Sequence, residues 1–472
     1  MRLNKIFLSI VFFLWFFQFS CIATEVVYVS STLGDDSYNG LSEATPFKTI
    51  KKALRVSCDI RLKAGDTFFE NIELNQKYIS RYGQGPNPVI CGYKRIITPK
   101  WEKVDSNIWR ISLKEGNYSG FIVEGSSLSN NIGCIHEYDK DLIHGRKVQY
   151  KTELKENWDI WQTERFDKQL PHSEFDWLYL YYSDDPNELN IEFSVSNTAI
   201  SVITSTIDCI DIKGFGFGLS CWSGTKVRNC SIDAIGGIIQ IGAPRYTCYG
   251  NGIEFYVNRN ISNCIVENCT ISRCYDCGVT IQASDCGKAT PSNIIIRNNL
   301  IYNCCQGWED FLRNDDNVVY ENCIFENNIL LNNGNTSGFG YPESRFKYCH
   351  ILGNNSSGNK GMIIRNNIFV GGNYFCGGSY NGEYKSNIWE GNKCYIKRGD
   401  YIIGGYFGKE DVIRIPIDRG SFQSILEATK ESVKRYRELT GDMTTQFVVK
   451  SEKWINRKAK KLRKSNKQQK KV

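Results

Sequence analysis

The sequence predicts an all-β solenoid of stacked parallel strands, and the main reason is an internal repeat. Five segments place a short polar step between apolar residues, and none is long enough to bury its own apolar face. They are Arg228-Asn229-Cys230-Ser231-Ile232, Glu267-Asn268-Cys269-Thr270-Ile271, Arg297-Asn298-Asn299-Leu300-Ile301, Glu321-Asn322-Cys323-Ile324-Phe325 and Arg365-Asn366-Asn367-Ile368-Phe369. Copies stacked about 4.8 Å apart pair their backbones and enclose one continuous core.

The third repeat position and a later glycine register support the stacking. The third position is occupied by Cys230, Cys269, Asn299, Cys323 and Asn367, small side chains that suit an inward-facing ladder. Their spacings of 39, 30, 24 and 44 residues indicate a period in the twenties with insertions between coils. A glycine before a short apolar strand follows at Gly237, Gly252, Gly278 and Gly307 and predicts a turn into the next strand.

The amino-terminal motifs resemble a known family. Tyr28-Val29-Ser30, Gly34-Asp35-Asp36-Ser37-Tyr38-Asn39-Gly40, Pro46-Phe47-Lys48-Thr49-Ile50 and Leu62-Lys63-Ala64-Gly65-Asp66 resemble the cap and first coil of secreted bacterial polysaccharide-active members of the pectate-lyase-like superfamily. The resemblance implies a right-handed parallel β-helix and a polysaccharide partner. It leaves the reaction open, because this fold hosts lyases, hydrolases, epimerases and inert binders.

The chain divides into five predicted regions. Residues 101–200 resemble a β-rich insertion found in some relatives, through Trp101-Glu102-Lys103-Val104, Asn107-Ile108-Trp109-Arg110 and Leu178-Tyr179-Leu180-Tyr181-Tyr182. The regions are a signal peptide (1–23), a cap with the first coils (24–100), the insertion (101–200), the main β-helix (201–405) and a carboxy-terminal extension with a basic tail (406–472).

The first 23 residues predict export. Arg2 and Lys5 precede an apolar run from Ile6 to Phe17, which is shorter than the roughly 20 residues that a spanning helix needs. A secretory signal is therefore favoured, and the protein is expected outside the cell or in the envelope. An uncleaved anchor and lipidation at Cys21 stay open as alternatives.

Charge and cysteines restrict the partners. Lys and Arg account for eleven of residues 450–472, so the formal net charge of +7 arises in the tail. We expect a solvated tail after a partly helical segment at 421–439, and attraction of the tail to an anionic envelope is the alternative. We do not expect nucleic acid as a partner, and we expect the protein to be a monomer. The chain has 19 cysteines, and those at repeat positions, Cys230, Cys269 and Cys323, are interpreted as buried thiols. Disulfides between coils, such as Cys274 with Cys304 or Cys305, stay open.

Two glutamates are the leading catalytic candidates. Alternation along the strands points Glu254 and Glu309 away from the core, and aligning their glycines puts Thr280 between them in one outward column. The two carboxylates would then be roughly 9 to 10 Å apart, near the separation that lets an inverting glycosidase hold a water. Asp310 interrupts the alternation and is a third candidate, which a β-bulge would re-aim.

Further candidates lie on the same strands and in the insertions. Arg345 is predicted to hold a substrate carboxylate and His350 to exchange protons. The remaining predicted substrate contacts are Tyr256, Gln282, Tyr341 and Trp161.

Three functions follow from these patterns. A glycoside hydrolase using Glu254 and Glu309 is favoured. The alternatives are a uronate lyase, with Arg345 or His350 as the base, and a glycan-binding protein without a reaction. No metal site and no cofactor are predicted, except that a lyase would use calcium.

Overall fold

The computed structural model describes most of the chain between residues 25 and 415. The described ranges are 25–98, 100–113, 116–118, 121–123, 132–140, 142–144, 146–148, 150–162, 177–195, 198–239, 248–257, 259–283, 290–312, 319–331, 333, 349–353, 361–370, 374–377, 388–397 and 412–415. The predicted signal peptide, the segment 421–439 and the basic tail lie outside these residues. No helix in the described ranges is long and apolar enough to cross a membrane.

The amino-terminal region forms the first coils. Its short helix α1 begins after Thr49, whose side chain accepts a hydrogen bond from the Lys52 N–H and so caps the helix. The elements are β1 (Val26–Val29), α1 (Ile50–Ala53), β2 (Asp59–Lys63), β3 (Thr67–Phe68), β4 (Ile72–Asn75), β5 (Tyr78–Tyr82) and β6 (Val89–Cys91).

An inserted β-structure follows these coils. Its strands are β7 (Lys94–Thr98), β8 (Glu102–Lys103), β9 (Ile108–Ser112), β10 (Gly116–Tyr118), β11 (Phe121–Val123), β12 (Ile132–Glu137), β13 (Leu142–His144), β14 (Arg146–Lys147), β15 (Asp159–Gln162), β16 (Trp177–Tyr181) and β17 (Ile191–Val195). They form two largely antiparallel sheets, and short 3-10 turns lie at Tyr138–Lys140, Lys151–Glu153 and Pro186–Glu188. The β-rich insertion is thus present.

The remaining strands build the rod. They are β18 (Thr198–Ile203), β19 (Thr206–Asp208), β20 (Asp211–Lys213), β21 (Phe217–Cys221), β22 (Lys226–Arg228), β23 (Ser231–Ile235), β24 (Ile238–Ile239), β25 (Cys248–Tyr249), β26 (Ile253–Tyr256), β27 (Ser262–Glu267), β28 (Thr270–Cys274), β29 (Cys277–Ala283), β30 (Ser292–Arg297), β31 (Leu300–Tyr302), β32 (Gln306–Leu312), β33 (Ile324–Glu326), β34 (Ile329–Leu331), β35 (Cys349–Gly353), β36 (Ile363–Arg365), β37 (Ile368–Val370), β38 (Tyr374–Gly377), β39 (Ile388–Glu390), β40 (Lys393–Lys397) and β41 (Val412–Ile415).

Three long parallel sheets run the length of the rod, so the predicted parallel β-helix is confirmed. Sheet A has the order β1-β2-β5-β19-β22-β27-β30-β33-β36-β39. Sheet B has the order β3-β6-β20-β23-β28-β31-β34-β37-β40-β41, and sheet C has the order β4-β18-β21-β26-β29-β32-β35-β38. From β2 to β38, each coil contributes one strand to each sheet. The apolar side chains of each coil meet those of its neighbours in one core.

An asparagine ladder joins the coils at the turn between sheets A and B. Asn299, Asn328, Asn367 and Asn392 are at most 2% exposed. The Asn328 Oδ1 accepts from the Asn299 backbone N–H at 3.0 Å, and the Asn367 Oδ1 accepts from the Asn328 N–H at 2.8 Å. Each ladder member also donates through Nδ2 to a carbonyl of a neighbouring coil, so the buried amides are satisfied.

One assigned repeat copy is wrong. Strand pairing aligns Arg297 with Glu326 and Glu326 with Arg365, so the fourth copy is Glu326-Asn327-Asn328 rather than Glu321-Asn322-Cys323. Cys323 lies on the coil's preceding turn, because Ile324 pairs with Ile295. Both turns use a left-handed Asn, with φ of 53° at Asn322 and 54° at Asn327, and this similarity explains the error.

The glycine register is needed for close packing at the edge of sheet C. A Cβ on Gly278 would lie 2.6 Å from the Ile301 Cγ2 and 2.8 Å from the Gly307 carbonyl oxygen. Gly252 is similarly enclosed. Gly237 does not belong to this set, because it precedes β24, which pairs antiparallel with β25; Gly218 takes its place.

Thirteen cysteines have described side chains, and all thirteen are free thiols. All but the half-buried Cys209 are buried; the set is Cys58, Cys91, Cys134, Cys209, Cys221, Cys230, Cys264, Cys269, Cys274, Cys277, Cys304, Cys305 and Cys323. This agrees with the interpretation as core residues and contradicts the alternative disulfide between Cys274 and Cys304 or Cys305. Burial raises the pKa of the Cys274 thiol well above its ordinary value, and the neighbouring Cys304 adds to the effect. Cys274 is therefore a protonated packing group of the core.

Candidate active site

Glu254, Thr280 and Glu309 form one column on the outer face of sheet C. Glu254 pairs with Thr280 and Thr280 pairs with Glu309, so the column predicted from the glycine alignment is confirmed. The flanking Ile253 and Trp308 are fully buried in the core, which places the column on the opposite face. The two glutamates are two strands apart, about 9 to 10 Å along the rod.

Glu254 is held by two amide side chains. Its Oε2 accepts from the Asn251 Nδ2 at 2.8 Å and from the Gln282 Nε2 at 2.7 Å. Burial raises the pKa of Glu254, and these two hydrogen bonds oppose the rise because they stabilise the carboxylate. The half-buried side chain therefore keeps a positioned oxygen that can accept a proton.

Asp276 is a third carboxyl group of the same site, and the sequence analysis missed it. It lies on the turn between β28 and β29, where its N–H donates to the Gly250 carbonyl and its own carbonyl accepts from the Gln306 N–H. Burial, and then the negative charge of Glu254, raise its pKa from 3.8 to about 7. Asp276 can therefore gain or lose a proton near neutral pH.

Glu309 is more deeply placed, at 5% exposed. The Thr280 hydroxyl donates to its Oε2 at 2.9 Å. Burial, followed by the charge of Asp276, raises the pKa of Glu309 well above its ordinary value. Because Glu254, Asp276 and Glu309 oppose one another's ionisation, this cluster, called here the carboxyl cluster, retains protons at neutral pH.

Asp310 points to the other side of the strand. It pairs with Ile281, a core residue, and the register between β29 and β32 continues regularly through it, so the expected bulge is absent from this pairing. Asp310 is 3% exposed, and the Tyr320 hydroxyl donates to its Oδ1 at 2.5 Å. This placement separates Asp310 from the outer face and argues against its predicted catalytic role.

The predicted substrate contacts are distributed unevenly. Tyr256 and Gln282 pair with each other and lie on the outer face, two residues beyond Glu254 and Thr280. Trp161 is buried in a cluster of the insertion, with its ring centroid 5.2 Å from that of Tyr179, so it offers no face to a glycan. His350 lies on β35, but its side chain is outside the described residues, as are Arg345 and Tyr341.

The insertion packs on the rod next to the turn that carries Asp276. The Cys134 Sγ and the Ser194 Oγ both donate to the Gly236 carbonyl of the rod, at 3.0 and 3.2 Å. Cys134 also shares a buried cluster with Tyr93 and with Tyr275, the residue before Asp276. A buried pair between the His136 Nδ1 and the Glu192 Oε1, at 2.7 Å, lies in the adjoining strands. The insertion therefore borders the site.

No group of three or more His, Cys, Asp or Glu side chains is arranged to hold a metal ion within the described ranges. The described site can transfer protons, because the carboxyl groups of Glu254, Asp276 and Glu309 differ in proton affinity.

Replacing Asp276 by Asn should stabilise the protein at alkaline pH. Asp276 ionises near 3.8 when unfolded and at about 7 when folded. Wild-type stability should therefore fall, relative to Asp276→Asn, as pH rises through this window, and the variant should be more stable above it. Urea unfolding at about pH 4 and about pH 8 measures the difference, which should be small at the first pH and large at the second.

Asp35→Asn is a control of opposite sign. Hydrogen bonds from Ser37 lower the pKa of the exposed Asp35 carboxyl group. The ionised Asp35 carboxylate stabilises the folded protein at neutral pH, and this contribution is lost on acidification. Asp35→Asn should therefore be less stable than wild type at about pH 8. Equal pH dependence of Asp276→Asn and wild type would show that Asp276 ionises normally.

Comparisons with known proteins agree in fold only. Neither a protein-family model nor a curated protein sequence matches the chain. Among solved structures, a xylose complex of XylC has 16% identity and a TM-score of 0.44 and covers 79% of this chain; the chain spans 63% of the length of XylC. The GH136 lacto-N-biosidase from Eubacterium ramulus has 11% identity and a TM-score of 0.34, with coverage of 83% of this chain and 68% of the other.

Pectate lyase Pel9A has 14% identity and a TM-score of 0.36, with coverage of 82% and 78%. Similarities at this level carry nothing about activity, and the identification rests on the strand pairing itself: the chain is a parallel β-helix protein.

Proposed function

We propose that this protein hydrolyses glycosidic bonds of a glycan at the outer face of sheet C. The observation that carries the proposal is the carboxyl cluster: burial raises the pKa of Glu254, Asp276 and Glu309, and the charge of Glu254 further raises the pKa of Asp276 and of Glu309. Glycoside hydrolysis needs one carboxyl group that donates a proton and one carboxylate that accepts a proton, and unequal environments separate those roles.

The roles follow from hydrogen bonding and exposure. Glu254, whose carboxylate is stabilised by Asn251 and Gln282, is the base that removes a proton from the attacking water. Asp276, with a pKa of about 7 and a half-buried side chain, donates a proton to the departing glycosidic oxygen. The bond between that oxygen and the sugar carbon breaks as the water oxygen bonds to the carbon. The products together contain one added water.

Product mass spectrometry tests the proposal. The protein is incubated with neutral and acidic polysaccharides, with and without calcium, and the products are weighed. Fragments that carry one added water support hydrolysis. Fragments with an unsaturated end would instead identify a lyase, and intact polymers throughout would favour the glycan-binding protein.

A further inference from the structure

A second outward column lies beside the carboxyl cluster. Tyr256 pairs with Gln282 and Gln282 pairs with Phe311, so these three side chains follow one another on successive coils. Each is half-buried, and each lies two residues beyond Glu254, Thr280 or Glu309 on the same strand. The two columns therefore run side by side along the rod, with Tyr256 and Phe311 about 10 Å apart.

The column joins aromatic surface to the reacting groups. Flat rings with an apolar face suit the C–H-rich face of a sugar, while a phenol hydroxyl and an amide supply hydrogen bonds. Gln282 lies between the two rings and also donates to the Glu254 Oε2 at 2.7 Å. A ligand on this column would thus contact a residue that positions the proposed base.

The column ends at the next coil toward the amino terminus. Trp222 directly follows β21, and its N–H donates to the Val202 carbonyl at 2.9 Å. This bond continues the backbone pairing between β18 and β21. The Arg259 guanidinium lies over the Trp222 ring, 4.4 Å from its centroid. A cation on that ring covers the face on which a sugar would stack.

The charge carried by the strands of this face disfavours acidic sugars. Strands β21, β26, β29 and β32 contain no Lys, Arg or His, and they carry Glu254 and Glu309. The raised pKa values of Asp276 and Glu309 show that an additional negative charge is unfavourable beside these strands. The carboxylate of a uronate would add to this repulsion without meeting a cation on these strands.

We propose that Tyr256, Gln282 and Phe311 form a binding platform for a neutral, hydroxyl-rich glycan that extends along the rod axis past the carboxyl cluster. The proposal rests on the proposed function for its connection to catalysis. Binding itself is measured independently of turnover.

Affinity gel electrophoresis tests the platform with named polymers. The neutral gels contain galactomannan, arabinoxylan or barley β-glucan, and the acidic gels contain polygalacturonate or alginate. Wild type should be retarded in a neutral gel and not in the acidic ones. Tyr256→Ala and Phe311→Ala should each weaken retardation about tenfold, whereas Tyr256→Phe should retain it. Tyr38→Ala, at a tyrosine that is 44% exposed in the amino-terminal region, is the matched control and should behave as wild type.

Circular dichroism of each variant shows that the fold is retained, and Tyr256→Leu replaces Tyr256→Ala if the smaller side chain prevents folding. Retardation of Tyr256→Ala and Phe311→Ala equal to that of wild type would overturn the platform. So would retardation in acidic gels alone, or in no gel. Product analysis of the wild type separates the two proposals: retardation that depends on Tyr256, together with no product from any polymer, would retain the platform and contradict the proposed hydrolysis.

Discussion

Glu254→Gln should reduce the rate of glycan cleavage by about 10²- to 10⁴-fold while leaving glycan binding nearly unchanged. The Glu254 Oε2 accepts both the Asn251 and the Gln282 hydrogen bond, so a glutamine can place its amide oxygen there and keep both. The variant loses only the ability to accept a proton from water. We therefore expect kcat to fall and KM to change little.

Glu73→Gln is the matched control for this experiment. Glu73 pairs with Ser201, Ser201 with Ser220 and Ser220 with Glu254, so it occupies the same outward column but is exposed at the amino-terminal end. Initial rates and KM on a polymer that wild type cleaves measure both variants. Equal activity of Glu254→Gln and Glu73→Gln would remove Glu254 from the mechanism.

Asn328→Ala should destabilise the rod by about 3 kcal/mol or more, because it leaves several buried polar groups unpaired. The Asn328 Oδ1 accepts from the Asn299 N–H and from the Asn299 Nδ2, both at 3.0 Å. Its Nδ2 donates to the Ile296 carbonyl at 2.9 Å. Water does not reach these groups, since Asn328 and Asn299 are fully buried.

Thermal and urea unfolding measure this effect, with Asn322→Gly as the control. Asn322 is exposed, and its φ of 53° is a conformation that glycine adopts readily. The control should change stability little. A small loss for Asn328→Ala, similar to that for Asn322→Gly, would show that the ladder does not stabilise the coils.

Much of the fold follows from local pattern. An Asn before Cys or Asn marks a left-handed turn, with φ of 55° at Asn229 and 57° at Asn268, and the next residue then points into the core. The same sequence pattern marks this kind of turn at more than one position of a coil. The pattern does not say which turn of the coil a copy belongs to, and Cys323 was misassigned for this reason.

Part of the site was also predictable. Period-two alternation put Glu254 and Glu309 on the outer face, and equivalent glycines aligned their strands. Asp276 was missed because it lies on a turn, where no alternation defines its direction. Asp310 was placed on the wrong side because a charged residue was not expected in a core column, where Tyr320 satisfies it.

By itself the sequence determined which residues repeat, which of them alternate in and out, and hence the parallel β-helix. These properties depend on neighbours a few positions apart. Only the tertiary structure decided which side chains from distant parts of the chain become neighbours, as when Gln282 reaches Glu254 and Cys134 of the insertion packs with Tyr275, the residue before Asp276. Proton affinity depends on burial and on charges across those contacts, so the chemistry of the carboxyl cluster arises only when the coils stack.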